Sequence, residues 1–212
     1  YGINQLLGWN TGNYDVYVAK GDYNTVLNLV ASTPNAFATL CHPNSTDFGN
    51  IKSNPYNGTY DNAIVGVAVK NGPAFSTNVS YTDPAASNTV SYFKDMLAKG
   101  YHLGPLADMD NHNSATMGKS NQGRTVILAT ARTQSAILDG ILNLRIYATE
   151  DFNFQVTFNA NGTLPMGSIV VQTVNPTFTV NASDPDGETV TQIRLFYGVP
   201  GSNLTPTVLT SN

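Results

Sequence analysis

The sequence predicts an α/β fold, in which a βα barrel or parallel sheet is followed by antiparallel β-strands. Strand-like and helix-like patterns alternate between residues 22 and 145, and this alternation is typical of βα units. After residue 148 apolar and polar residues alternate strictly, which is typical of half-buried strands. The chain has 212 residues, of which 41% are hydrophobic, so it can bury a sizeable core.

The first helix is predicted to begin after Asp22, a typical N-cap residue. The apolar residues that follow share one helical face: Tyr23, Val26, Leu27 and Val30. Residues 36–41 predict a buried strand, which ends at His42 because Pro43 cannot continue a central strand. A short strand is also expected at 15–19.

The rest of the first 150 residues continues the alternation. Apolar runs predict further buried strands at 63–69, 101–109 and 125–131. Polar stretches predict loops at 44–62, 71–88 and 110–123.

Two more helices are predicted in this part of the chain. The first spans residues 88–99 and ends at Gly100; its apolar face carries Val90, Phe93 and Leu97. The second is capped by Thr133 and reaches about residue 145; its apolar face carries Ile137, Ile141 and Leu144.

The remainder of the chain is predicted to be β-structure. The alternating residues of its first strand are Phe152, Phe154, Val156 and Phe158, and Asn161-Gly162 predicts the turn that follows. Further strands are expected at 178–182 and 192–197. Residues 184–187 (DPDG) predict a turn between them; such a sequence can bind Ca²⁺, although a plain turn is the more common outcome.

We place a domain boundary near residue 170, which gives a first domain at 1–168 and a second at 169–212. The second segment is too short for a complete β-sandwich, which usually needs about 100 residues. It is therefore either a fragment of such a domain or a set of strands packed on the first.

Composition and charge exclude several classes of protein. The net charge is −4, so the basic surface that a nucleic-acid-binding protein needs is not expected. No apolar run approaches the roughly 20 residues of a membrane span. Cys41 is the only cysteine, which rules out a disulfide within the chain.

The chain begins at Tyr1 without Met or a signal peptide, and we expect it to be a processed piece that lacks an upstream segment. Charged residues make up only 11% of the chain, less than half the usual ~25%, and Asn and Thr are abundant. This composition suggests a secreted or periplasmic bacterial protein.

Candidate metal ligands occur at two places. Asp110 and His112 are two positions apart, so in an extended segment they would present a carboxylate and an imidazole on one side, suited to Zn²⁺, Mn²⁺ or Fe²⁺. Asp108 would lie on the same side, either as a further metal ligand or as an acceptor of a hydrogen bond from one of the ligands. His42 follows a predicted strand, and the carboxyl ends of parallel strands meet at one edge, so His42 is expected on the same rim.

Each of these patterns also has an ordinary structural interpretation. Asp110 and His112 fit an acidic surface loop, and His42 fits a strand-terminal histidine bonded to a loop carbonyl. A structural role is favoured for His102, and Cys41 is expected to pack in the core because adjacent strand residues face opposite sides.

Several segments, taken together and in this order, resemble the polymerase and histidinol phosphatase (PHP) superfamily, most closely its secreted CehA/McbA-like branch. They cover most of residues 9–168: FATLCHPN (37–44), GYHLGPLADMDNHN (100–113), RTVILAT (124–130), ILDGILNLRIYATED (137–151) and NGTLPMGS (161–168). The tail, with NASDPDGETVTQIRLFYG, resembles the start of an Ig-like sandwich.

The resemblance implies a distorted βα barrel, incomplete at its N-terminus, that carries metal ions at the strand carboxyl ends and cleaves phosphoesters or related esters with metal-activated water. His42 matches the His-Pro motif of the family, and Asp110 and His112 match its Asp-x-His motif, so all three would be ligands of a divalent transition metal. The His-x-His motif that opens the family's first strand does not occur in this sequence.

Two functions follow from these observations. The first is a metal-dependent hydrolase, with a small phosphoester as the expected substrate and with Asn44, Asn111 and Asn113 as candidate substrate-binding residues. The second is a non-catalytic secreted module on a degenerate PHP scaffold that binds a glycan or a cell-surface partner. The aromatic content of 10% suits sugar stacking, although most rings are expected in the core.

Overall fold

The computed structural model describes residues 21–113, 119–171 and 174–211, which form a mixed α/β structure with few helices and several antiparallel sheets. The strand expected at 15–19 and part of the polar stretch 110–123 lie outside the described residues. Within the described ranges the strands do not close into a barrel.

The first helix forms as the sequence predicts. Helix α1 spans Tyr23–Ser32, and the Asp22 side chain caps it by accepting a hydrogen bond from the Thr25 backbone N–H at 3.1 Å. Its inward face buries Val26, Leu27 and Val30. This confirms the predicted cap and apolar face.

A four-stranded sheet lies at the centre of the described structure, with strands β1 (Ala38–Leu40), β2 (Ile64–Asn71), β3 (Ser87–Asn88) and β4 (Gly104–Ala107). Strand β2 pairs in parallel with both β1 and β4, while β3 pairs antiparallel with its last two residues. The carboxyl ends of three parallel strands therefore meet at one edge.

The prediction of a loop at 44–62 is wrong in part, because this stretch contains helices α2 (Asp47–Asn50) and α3 (Gly58–Ala63). The Asn57 side chain caps α3 by accepting from the backbone N–H groups of Thr59 and Tyr60. The polar residues of this stretch therefore cap short helices, where hydrophobic spacing gives no signal.

Helix α4 spans Val90–Lys99 and ends at Gly100, which adopts φ 113° as expected of a helix stop. Its most buried residues are Tyr92, Met96 and Ala98, while Phe93 and Leu97 of the predicted face pack against the core as partly buried residues. That face is half-buried and lines a groove shared with the C-terminal strands. The helix is thus covered on two sides.

The next unit departs from the predicted parallel alternation. Strand β5 (Arg124–Ile127) pairs antiparallel with β6 (Ile146–Thr149), and β5 is half-buried instead of fully buried. Between them lies helix α5 (Gln134–Leu142), whose predicted cap, Thr133, accepts from the Ala136 N–H at 3.3 Å. Of its residues Leu138 is buried, whereas Ile137 and Ile141 are half-buried. The prediction that the helix reaches about residue 145 is wrong, because it ends at Leu142 and Leu144 adopts φ 54°.

The remaining strands are β7 (Gln155–Ala160), β8 (Leu164–Pro165), β9 (Phe178–Ser183), β10 (Arg194–Tyr197) and β11 (Thr207–Ser211). Strand β7 pairs antiparallel with β8 and β9, and β10 pairs antiparallel with β11. Asn161 and Gly162 have φ values of 51° and 74°, which confirms the predicted turn.

The strands beyond residue 170 contact the earlier part of the chain. Strand β9 pairs with β7 along six residue pairs. The loop between β10 and β11 donates two backbone hydrogen bonds, from Gly201 and Asn203, to the Ala98 carbonyl oxygen of α4. Among the described helices, none is long and apolar enough to cross a membrane.

Candidate metal centre

His42 lies just beyond the carboxyl end of β1 and faces Asp110. Its Nε2 atom is 3.9 Å from Asp110 Oδ2, although the two residues are far apart in the sequence. The backbone of His42 has φ 33° and that of Asp110 has φ 50°, a region that favours glycine. Two candidate ligands therefore meet at one edge of the sheet, both on strained backbone.

His112 approaches the same carboxylate from the other side. Its Nδ1 atom is 3.8 Å from Asp110 Oδ1 and 2.5 Å from the Asp110 carbonyl oxygen. In the tautomer that donates from Nδ1 to this carbonyl, the Nε2 lone pair is available to a metal, the arrangement common among metal-binding histidines. The Phe75 ring lies 5.1 Å from the imidazole.

Asp108 follows β4 directly and is half-buried. Burial raises the pKa of its carboxyl to about 6; the Asp110 charge acts in the same direction, and His42 opposes both. Cys41 lies nearby and is half-buried, and burial followed by the Asp108 charge raises the pKa of its thiol. The expectation that Cys41 packs in the core is therefore met only in part.

Asn71, the last residue of β2, belongs to this centre although no sequence motif pointed to it. It is only 4% exposed, and its amide lies between the carboxylates of Asp108 and Asp110. A polar residue at the end of the run AIVGVAVKN is the signal that could have identified it, because a buried amide needs polar partners.

The three asparagines proposed to bind substrate take part in local turns. Asn44 Oδ1 accepts from the backbone N–H and the hydroxyl of Thr46, and Asn111 Oδ1 accepts from the Asn113 N–H at 2.8 Å. These contacts shape the loops beside His42 and His112. A role of the three side chains toward substrate stays a prediction.

His102 lies apart from this centre. Asp61 accepts hydrogen bonds from the His102 backbone N–H at 2.6 Å and from its Nδ1 at 2.7 Å. These bonds hold the segment before β4 against helix α3, in agreement with the structural role expected for His102.

A cavity of about 610 Å³ adjoins the centre at Asp108. Lys70 contributes to its wall and forms an ion pair with Glu150 at 2.8 Å. The other charged residues of its wall are acidic: Asp83, Asp151 and Glu188. An anionic substrate in this cavity would be repelled unless a bound cation offset these charges.

A second acidic group, formed by Asp151, Asp184 and Glu188, extends from this cavity. Within the described ranges, this is the one set of three potential metal ligands whose ligand atoms all lie within 4.8 Å of one another. A hydrogen bond with Asp184 raises the pKa of Glu188, and the charges of Asp184 and Asp151 add to the effect. The predicted turn at 184–187 forms, with Gly187 at φ 86°.

The donors around Asp110 suit a divalent transition metal. Two imidazoles and a carboxylate are the ligand types that Zn²⁺, Mn²⁺ and Fe²⁺ accept. Ligand atoms bound to one such ion at about 2.1 Å lie about 3.0–3.5 Å apart. The 3.9 Å separation of His42 Nε2 from Asp110 Oδ2 is slightly longer than this spacing, whereas the 3.8 Å contact of His112 is made by Nδ1, which faces the Asp110 carbonyl. Within the described ranges, His42, Asp110 and His112 do not bring one ligand atom each within 4.8 Å of one another, so a single ion would have to draw these side chains together.

Comparison with known proteins gives no match for this chain among family models, curated proteins or solved structures. The resemblance to the PHP superfamily therefore stays a prediction that depends on the quoted motifs.

Proposed function

We propose that the chain is a divalent-metal-dependent hydrolase that acts on small phosphoesters and holds its metal with His42, Asp110 and His112. The observation that carries the proposal is the approach of His42 and His112 to the Asp110 carboxylate, at 3.9 and 3.8 Å, beyond the ends of β1 and β4. Residues so far apart in the sequence converge there, where parallel α/β sheets commonly bind ligands.

Backbone strain at the centre supports this proposal. A non-glycine residue in the left-handed region costs about 1–3 kcal/mol, and such residues cluster at functional sites. His42 and Asp110 both adopt this conformation, and each faces the other. A chain that used these positions only for stability would gain from glycine at either one.

Each residue has a distinct role in this proposal. When bound, a divalent cation would supply a Lewis acid that polarises the scissile ester and makes water more acidic. His42, Asp110 and His112 provide nitrogen and oxygen donors for that cation. Asp108 lies between these donors and the 610 Å³ cavity, where it can accept a hydrogen bond from substrate or water.

The fold proposed with this function is an N-terminally incomplete PHP-type barrel followed by strands of an Ig-like sandwich. The parallel arrangement of β1, β2 and β4, with the candidate ligands at their carboxyl ends, supports the first part. The antiparallel pairs β7–β9 and β10–β11 support the second.

The proposal is tested by assaying the purified chain, with added Mn²⁺ or Zn²⁺, against an aryl phosphate, a phosphodiester and a carboxyl ester. We expect metal-dependent cleavage of a phosphoester that His112→Ala reduces at least about 100-fold. The matched control is His102→Ala, which removes an imidazole outside the centre and leaves cleavage unchanged. Cleavage of none of the substrates, or full activity of His112→Ala, contradicts the proposal.

A non-catalytic binding module is the second candidate, because several aromatic rings are exposed. Phe75 is 78% exposed beside His112, and Tyr197 is 57% exposed on the C-terminal hairpin. Exposed rings can stack on sugars. Glycan binding that survives both Phe75→Ala and Tyr197→Ala would remove the support for this candidate.

A further inference from the structure

Asn71 is a buried polar residue in a position where the strand pattern calls for an apolar one. It ends β2, in which every residue except Lys70 is buried, and it is 4% exposed. Burying an amide without hydrogen-bond partners is unfavourable. The partners of Asn71 therefore indicate why an amide is placed there.

Those partners are the two carboxylates that follow β4. In the amide orientation that satisfies both ends, Asn71 Nδ2 donates to Asp108 Oδ1, and Oδ1 accepts from the Gly72 backbone N–H at 3.1 Å. In the opposite orientation Nδ2 lies 3.4 Å from Asp110 Oδ2. Either way, the amide lies between Asp108 and a candidate metal ligand.

Backbone hydrogen bonds on both sides of Asn71 fix this placement. The Asp108 N–H donates to the Lys70 carbonyl at 3.0 Å, and the His112 N–H donates to the Ala74 carbonyl at 2.8 Å. The segment that carries the candidate ligands is thus held against the segment that follows β2. The Asn71 side chain projects into the space between these two anchor points.

We propose that Asn71 is a positioning residue of the metal centre, an inference that rests on the proposed function. Its amide holds the Asp108 carboxylate at a fixed distance from Asp110, and this leaves the two Asp110 oxygens directed toward His42 and His112. Removing a residue that hydrogen-bonds to a metal ligand commonly weakens metal affinity 10–100-fold.

Asn121 provides a matched control for this proposal. It is also 4% exposed, and its amide bonds the same glycine from the other side, with Nδ2 donating to the Gly72 carbonyl. Its Oδ1 accepts from the Gly123 N–H at 2.8 Å. Asn121→Ala therefore removes a buried amide that bonds backbone groups and contacts neither candidate carboxylate through these bonds.

The test is a Co²⁺ titration followed by visible absorption, with unfolding in urea measured in parallel. Asn71→Ala is compared with Asn71→Leu, which keeps the branched four-atom skeleton of the side chain, replaces its polar atoms with methyl groups and suits a buried strand position. We expect both variants to bind Co²⁺ about 10–100-fold more weakly than the wild type, with a changed absorption spectrum. We expect Asn121→Ala to keep the wild-type affinity and spectrum while losing stability.

Folded Asn71→Leu with wild-type affinity and spectrum would overturn the inference and leave Asn71 a structural residue. Failure of both Asn71 variants to fold would also assign it a purely structural role. A different result would contradict the proposed function itself. In that case either the wild type binds no Co²⁺, or a variant with His42, Asp110 and His112 all replaced by alanine binds Co²⁺ as tightly as the wild type.

Discussion

His42 Nε2 lies 3.9 Å from Asp110 Oδ2, and both residues have left-handed backbone. The pair links the end of β1 to the segment after β4. It therefore joins two parallel strands that do not pair with each other, since β2 lies between them.

Replacing His42 separates the cost of its backbone conformation from the value of its side chain. Because glycine adopts positive φ without strain, we expect His42→Gly to be more stable than His42→Ala by about 1 kcal/mol. Both variants should lose metal affinity to a similar degree. Urea unfolding of the metal-free variants checks the first expectation, and equal stability would contradict it.

Asp108→Asn tests the half-buried carboxyl of Asp108. Because burial raises its pKa from 3.8 to about 6, folding favours the protonated form, and the metal-free wild type loses stability as the pH rises from about 4 to about 6. The shift corresponds to at most about 3 kcal/mol. Above about pH 6 the asparagine variant should therefore be the more stable chain.

The measurement is urea unfolding across this pH range in the presence of a chelator. The stability difference between Asp108→Asn and the wild type should grow between about pH 4 and about pH 6 and then level off. A difference that is constant with pH would show that Asp108 titrates near its ordinary value.

Cys41 is expected to react slowly. Burial and the nearby Asp108 charge raise the pKa of its thiol, so little thiolate is present near neutral pH. A chromogenic thiol reagent should modify the folded chain at least about tenfold more slowly than the urea-unfolded chain. Asp108→Asn should speed the reaction, and equal rates in folded and unfolded chains would contradict the expectation.

Asp61 should matter for stability and not for metal binding. Its carboxylate accepts from the His102 backbone N–H, the His102 ring and the Tyr56 hydroxyl, the last at 2.8 Å. Asp61→Ala leaves these donors without their partner, and we expect a loss of about 2–3 kcal/mol in unfolding free energy. Metal affinity should stay at the wild-type value; a parallel fall would link this contact to the centre.

Local signals in the sequence predicted local structure well. The Asp22 and Thr133 caps, the Gly100 helix stop and the Asn161-Gly162 turn form as predicted. Each depends on residues within one or two turns of chain, so the sequence nearby contains the information that determines it.

Features that depend on distant partners were predicted less well. The antiparallel pairing of β5 with β6 follows from where the chain returns after α5, which apolar spacing does not record. The most buried residues of α4 are not those of the predicted face, because the C-terminal strands cover a second side of the helix.

The candidate site also contains one contact that the sequence could predict and one that it could not. The closeness of His42 and Asp110 could be predicted, because the carboxyl ends of parallel strands share an edge. The contact of Asn71 with Asp108 could not, since it joins the end of one strand to the loop after another.

The most direct test of the account is the metal content of the purified chain, measured by mass spectrometry beside a variant with His42, Asp110 and His112 all replaced by alanine. We expect about one transition-metal ion per wild-type chain and none in the variant. No bound metal in the wild type after incubation with Mn²⁺ or Zn²⁺, or equal metal in both chains, would contradict it.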